Sequence, residues 1–378
     1  MLQETYKETV ELAAHLVRIK SENPGDGEDR VQAELNTRFQ AAGIETAVVK
    51  TASGRQSLLA RIKGVSDRPG LMLTGHADVV PVSAEERPDW QADPYAATIL
   101  DGRLYGRGST DMKGGLAAGA VAFCAYAASG QTPVADLLFV STADEENRMT
   151  GSRSVLDHPW LKTISHALVM EPTGLNIAVT GNGRTFGTVT CLGQKAHGAV
   201  PSVAKNAILI MQDIISKIMA FDLAEAIGAP GSFWQPIAIS AGIEPGIVPD
   251  RCSILLDARL AWPADPRDVW VALTDRLRDY DVRIEPLDLR RTWQAPPDDR
   301  LAAELATALV AVGITGAKVS FPGSTDGNIF LERGIQPIIC GPGTLALAHR
   351  ANEYVAVSEL EQAAAVYAQV IRLWPGSP

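Results

Sequence analysis

The sequence predicts an α/β domain with a mainly parallel sheet, interrupted by a smaller α+β unit. Three observations lead there. Helical segments alternate with short, near-continuous apolar strands, the pattern of strands covered on both faces of a parallel sheet. From about Asn176 the texture changes to a β-α-β-β-α-β order, which resembles a ferredoxin-like unit. After the Pro-rich joint RRTWQAPPDD the α/β texture returns. The expected division is 1–177 and 293–378 for the α/β domain, with 178–292 as the insert.

In chain order, Leu12, Leu16 and Ile19 recur at helical spacing before Pro24, and Val31, Leu35 and Phe39 do the same before Gly43. Two amphipathic helices are expected. The β-rich runs IETAVVK, SLLARI and LMLTG follow. KGGLAAGAVAFCAYAASG reads as a tightly packed helix, and DLLFVST and HALVMEP as strands. In the insert, RTFGTVTCLG alternates apolar and polar residues, as a half-buried strand does. The helix AILIMQDIISKIMAF, the strands PIAISAGI and CSILLDARL, the helix VWVALTDRLRDY and the strand VRIEPLDL complete it. The α/β part closes with the helix LAAELATALVAVG, the strands KVSF and GIQPIICG, and a helix from Ser358 onward.

The bulk numbers narrow the function classes. A chain of 378 residues is long enough for two cores, and 46% hydrophobic with 21% charged residues is an ordinary globular composition. A net charge of -10 leaves no basic stripe to neutralise phosphates, so nucleic acid is not an expected partner. The start, MLQETYKETVELAAHL, is polar and charged, and no apolar run is long enough to span a bilayer. Neither signal peptide nor membrane anchor is expected, and the expected compartment is the cytoplasm. Cys124, Cys191, Cys252 and Cys340 are scattered singly, which points to free thiols and away from a zinc-thiolate site.

The chemistry lies in what terminates the apolar strands. LMLTG runs into His76 and Asp78, LLFVST into Asp144, Glu145 and Glu146, and ALVM into Glu171; Asp111 stands where GRGSTDMKGG opens the Gly-rich helix. Ligands of parallel α/β sheets bind beyond the carboxyl ends of the strands, so these groups converge if the strands are neighbours. Several carboxylates and an imidazole at one sheet edge form a nest of negative charge that divalent cations would offset. Taken singly each has an ordinary reading: His76 a hydrogen-bonded histidine, Asp111 a helix cap, Glu171 a turn residue before Pro172, His349 a surface histidine.

Six stretches, GHADVVP, GRGSTDMKGG, ADEEN, MEPTG, GQKAHGAVPS and AHRANEYV, in this order and with these gaps, resemble the M20 family of co-catalytic metallohydrolases. That group includes acetylornithine deacetylase, succinyl-diaminopimelate desuccinylase, aminoacylase-1 and carboxypeptidase G2. The resemblance implies a zinc-exopeptidase-like α/β/α catalytic domain with the insert as a ferredoxin-like lid and dimerisation domain. It also implies two divalent metal ions per chain, zinc first and cobalt or manganese as alternatives. Asp111 would bridge them, His76 and Glu171 would complete one site, and Glu146 and His349 the other. Asp78 would accept from the His76 imidazole, and Glu145 would be the general base, since adjacent side chains on an extended segment point apart. His197 resembles a histidine that stabilises the oxyanion in a neighbouring subunit, which makes a homodimer through the lid the expected assembly. Arg259 resembles a lid arginine that holds a substrate carboxylate. Ser324, Thr325, Asp326 and Asn328 fall in a loop that resembles one contacting substrate.

Two positions depart from the family pattern. Gly246 stands where many members carry Asn before the lid's Ile/Val-Pro pair. Asn328 stands where desuccinylases have an Arg for the substrate's far carboxylate, which argues against succinyl-diaminopimelate as substrate. The expected reaction is hydrolysis of the amide of an N-acyl amino acid, as in acetylornithine deacetylase. A metallo-dipeptidase or a carboxypeptidase G2-like exopeptidase is the alternative, and a non-catalytic binding protein would have lost one of these side chains.

Overall fold

The computed structural model describes residues 2–242 and 244–374. Two compact units emerge: one made of Met1–Val179, Ala295–Phe321 and Thr325–Pro378, the other of Thr180–Gln294 and Pro322–Ser324.

The first unit is built on a mixed sheet whose strands run in the order Glu45–Lys50, Gln56–Ile62, Leu137–Thr142, Gly70–His76, Ile164–Val169, Gln336–Ile339 and Ile177–Gly181. The four strands from Leu137–Thr142 to Gln336–Ile339 are parallel, and the flanking pairs are antiparallel. Every residue of Gly70–His76 and of Leu137–Thr142 is buried. Successive strand side chains point to opposite faces, so full burial means that both faces of the sheet are covered. This is the α/β class read from the apolar runs.

The Gly-rich stretch forms the helix Gly114–Ala128, which packs against Leu2–Arg18 and Val357–Leu373. Its small residues allow close approach. A Cβ added at Gly115 would lie 2.2 Å from the Met170 carbonyl oxygen, so the glycine lets the helix sit against the end of the strand that leads to Glu171. Phe39, Phe123 and Phe139, with centroids 5.0–6.0 Å apart, tie the helix Glu28–Ala41 and the Gly-rich helix to the central strand. A small sheet of Thr98–Leu100, Arg103–Tyr105 and Tyr354–Ala356 lies outside the expected elements. Such three-residue strands are too short to leave a periodic signal.

In the second unit the strands Gly183–Leu192, Phe233–Ala241, Arg251–Leu260 and Val282–Arg290 form a four-stranded antiparallel sheet, with Gly183–Leu192 between Arg251–Leu260 and Val282–Arg290. The helices Ala207–Met219 and Pro266–Arg276 follow the first and third of these strands, which is the β-α-β-β-α-β order. Val189, Ile254, Leu256, Met211, Ile214, Ile218, Trp234 and Leu273 make its core.

Candidate metal centre

Three parallel strands deliver the site. His76 closes Gly70–His76, its register partner Thr142 closes Leu137–Thr142 just before Asp144, and Glu171 follows Ile164–Val169 by two residues. Asp111 comes from the irregular segment Ser109–Lys113 that precedes the Gly-rich helix, and its φ/ψ of -121°/95° is extended. It therefore does not cap that helix. Gly108, at φ 84°, sets the entry to the segment: a Cβ there would lie 2.5 Å from Val79 Cγ1.

The side chains converge. Asp111 Oδ1 lies 3.1 Å from His76 Nε2, and Asp111 Oδ2 lies 3.1 Å from His349 Nε2. Glu171 stands 3.5 Å from His76 Nε2, and Glu146 Oε1 stands 3.0 Å from His349 Nε2. One carboxylate thus faces two histidines, and each histidine has a second carboxylate of its own. Ligand-type atoms of His76, Glu145 and Glu171 lie within 4.8 Å of one another, as do those of His76, Asp111 and Glu146. His349 is half-exposed and has φ 61°, a left-handed backbone that a histidine holds only where its surroundings enforce it.

The electrostatics reflect crowding of like charge. Burial, and then the nearby Asp111, push the Glu171 carboxyl well above the usual range, and the same two causes raise Glu146. Burial acts against a charged His76, but Asp111, Glu171 and Glu145 outweigh it and raise its pKa well above normal. For His349, Asp111 and Glu146 overcome burial and raise it to about 11. Burial would raise Asp111 as well, yet hydrogen bonds from His349 and His76 hold its carboxyl well below the carboxylate range. Nitrogen and oxygen donors, packed closely and carrying excess negative charge, suit divalent ions of the zinc, cobalt and manganese kind. Such ions would offset the negative charge, with the imidazoles binding them in the deprotonated form.

Several sequence expectations are corrected. The strand ends at Thr142 and Asp144 takes φ 64°, so Glu145 and Glu146 sit in a turn and not on an extended segment. The alternation expected to turn Glu145 away from Glu146 does not apply, and both carboxylates reach the His76 cluster. His76 Nδ1 pairs at 2.9 Å with the Asp78 backbone carbonyl; the Asp78 carboxylate lies 3.6 Å away and accepts instead from the Glu145 and Glu146 N–H groups, both at 3.1 Å. Asp78 holds the turn more than the ring.

Thr325, Asp326 and Asn328 are buried. Thr325 caps the helix Asp326–Phe330, and Asn328 Oδ1 accepts from the Thr325 N–H at 2.7 Å in a capping box. Asp326 accepts a hydrogen bond from Thr142, and burial raises its pKa. Helix capping and strand support engage these three side chains, and Ser324 is half-buried beside them in sequence.

In the second unit, His197 is exposed on the two-residue strand Ala196–His197, which pairs with Ile247–Val248. Arg259 donates through Nε to Asp257 at 2.9 Å, and Asp257 also accepts from Arg184 at 2.6 Å.

Sequence reasoning missed Glu353 and Arg107. Glu353 is fully buried, and its Oε1 accepts from the N–H groups of Gly108, Thr110 and Asp111 at 2.9–3.2 Å. Its Oε2 accepts from Arg107 at 2.8 Å, and Arg107 also donates to the Arg350 carbonyl at 3.3 Å. The pair staples the segment bearing Asp111 to the loop bearing His349. Both residues fall inside stretches that carry the family resemblance, but a buried ion pair between distant loops leaves no local signal. Removing Glu353 takes the acceptor from three backbone N–H groups and leaves the buried Arg107 with Glu86 as its one carboxylate partner, so Glu353→Ala is expected to lower stability by about 3–5 kcal/mol. Chemical denaturation at unchanged m-value reads this directly, and a loss under about 1 kcal/mol would mean that the loops are held by other contacts.

A family model, Peptidase family M20/M25/M40, matches residues 72–373, most of the chain. The protein belongs to this family. The M20 protein is 30% identical, over 97% of its chain and 97% of the relative's, to a succinyl-diaminopimelate desuccinylase of Rhodospirillum centenum. Its fold is similar to that of an M20 family metallo-carboxypeptidase of Sulfolobus solfataricus, with a TM-score of 0.78, 18% identity, and coverage of 97% and 99% of the two chains. It is also similar to a dinuclear metal-binding M20 peptidase of Bacillus subtilis, with a TM-score of 0.66, 16% identity and coverage of 98% and 99%. Membership makes it a hydrolase of a family that binds two divalent metals. No helix among the described residues is long and apolar enough to cross a membrane.

Proposed function

We propose that this M20 protein is a two-metal amidohydrolase that cleaves the amide bond of an N-acyl amino acid, in the manner of acetylornithine deacetylase. The observation that carries the reading is Asp111, whose two oxygens each lie 3.1 Å from a different histidine. In this reading His76 and Glu171 would hold one ion and Glu146 and His349 the other, with Asp111 a donor to both. Two bound divalent ions, zinc foremost, would polarise the scissile carbonyl and acidify water at the site.

The chain's own groups then divide the remaining work. Glu146 pairs with His349, and Glu145, next in the turn and near His76 and Glu171, takes the proton of the attacking water and passes it to the leaving amine. The burial of His76, Asp111, Glu145 and Glu171 limits competing solvent and strengthens each electrostatic contact. The proposal extends to His197 as donor to the tetrahedral oxyanion, to Arg259 as partner of the substrate carboxylate, and to a homodimer formed through residues 178–292.

A relative named for removing an acyl group from an amino acid supports deacylation. The peptidases among the structural neighbours favour the second reading, a dipeptidase or carboxypeptidase using the same side chains. Hydrolysis of N-acetyl, N-formyl and N-succinyl amino acids, screened against dipeptides with zinc-loaded protein, separates the two. We expect an N-acyl amino acid to lead the dipeptides in kcat/KM by at least about 10-fold, the range that pocket contacts commonly discriminate. A dipeptide ahead of every N-acyl substrate would reverse the order of the two readings.

A further inference from the structure

The turn that carries Glu145 and Glu146 belongs to no helix or strand, yet side chains from distant segments hold it in place. Asp78 accepts both of its N–H groups. Behind Asp78 lies Asn23, which is buried and divides its amide three ways. Its Nδ2 donates to Asp78 Oδ2 at 2.8 Å and to Asp144 Oδ1 at 2.9 Å, while its Oδ1 accepts from Arg55 at 3.1 Å. Glu28 accepts from the Asp144 N–H at 2.8 Å through one oxygen and pairs with Arg55 through the other. Thr150 closes the turn by donating to Asp144 Oδ2 at 2.6 Å.

Three buried carboxylates lie together here: Glu28 pairs with Arg55, Asp144 lies 3.9 Å from its Nε, and Asp78 is joined to it through Asn23. Burial, followed by the charge of Asp78, pushes the Glu28 carboxyl up to about 7, a sign of how closely the negative charges are packed. A planar fork with several donors can serve Glu28 and Asn23 together, which a compact ammonium cannot do. Arg55 is also the member that solvent reaches. It keeps about a fifth of its side chain exposed and lines a surface cleft of about 700 Å³ formed by residues 25–30 and 53–56.

We propose that Arg55, acting through Glu28 and Asn23, is a positioning residue for Glu145. It neutralises the carboxylates that pin the turn and so sets where the proton acceptor stands. The inference rests on the reading of Glu145 as that acceptor.

The test uses the full chain loaded with zinc. Arg55→Ala should lower kcat roughly 10- to 100-fold, the range seen when partners behind a metal site are removed. KM and metal content should stay as in the parent protein. Ethylguanidinium ion at millimolar concentration, entering from the cleft, should restore part of kcat, and ethylammonium should restore less. Unchanged kcat would overturn the proposal, as would a loss that ethylguanidinium does not repair in folded, metal-replete protein. Should Arg55→Ala not fold, Glu28→Gln, which keeps the shape and removes the ion pair, answers the same question: lowered kcat at parental KM supports the proposal, and parental kcat overturns it. Glu145→Gln is measured alongside. Turnover retained there would defeat the reading of Glu145, whereas an inactive Glu145→Gln beside an unimpaired Arg55 variant would defeat the positioning role alone.

Discussion

Asp111→Ala is expected to empty both metal positions, not one. Each of its oxygens lies 3.1 Å from a separate histidine, so a single deletion takes a donor from the His76–Glu171 side and from the His349–Glu146 side at once. It also removes the one carboxylate that faces both rings, leaving each imidazole with one carboxylate partner fewer. Loss of a direct donor should exceed the 10- to 100-fold effect typical of supporting partners, so affinity at both positions should fall by more than about 100-fold. Elemental analysis after gel filtration should then find well under one ion per chain. Two ions retained would show that Asp111 is not shared.

The second large effect is on turnover. Glu145→Gln should lower kcat by about 10²- to 10⁴-fold, the usual contribution of a positioned general base. Metal content should remain near two per chain, and this is the discriminating half of the experiment. Glu145 has an oxygen within 4.8 Å of ligand-type atoms of His76 and Glu171, so the geometry alone would also permit it to hold an ion. If the substitution removed metal along with activity, Glu145 would be a ligand and the proton would need another acceptor. The isosteric amide keeps the side chain's volume in a buried position, so any loss reflects the proton and the charge rather than a cavity.

The fold and the outline of the site were legible because both rest on local signals. Apolar strands of the parallel sheet end in polar residues, and His76, Glu171 and the Asp144–Glu146 row can be read from that change alone. What escaped is what tertiary context decides. Asp144 adopts a left-handed φ of 64°, open to Asp but not demanded by it, and that one dihedral converts an expected extended segment into a turn. The Asp78 carboxylate had two candidate partners, a ring nitrogen and two backbone N–H groups, and only the three-dimensional turn decides between them. The sequence marks Asn328 by identity alone; that its side-chain oxygen accepts from the Thr325 N–H is visible only in the folded loop. Asn23 sits in a Pro- and Gly-rich joint, Glu28 opens the helix Glu28–Ala41 and Arg55 precedes the strand Gln56–Ile62; nothing in the spacing links them to a turn more than a hundred positions from the first two. Glu353 and Arg107 were hidden in the same way.

Zinc titration of metal-stripped protein, followed by calorimetry and checked by elemental analysis of the saturated sample, directly tests whether Asp111 serves two ions. Because Asp111 faces two histidine–carboxylate pairs, saturation is expected at two ions per chain. Saturation at one ion, or no binding at all, would contradict it.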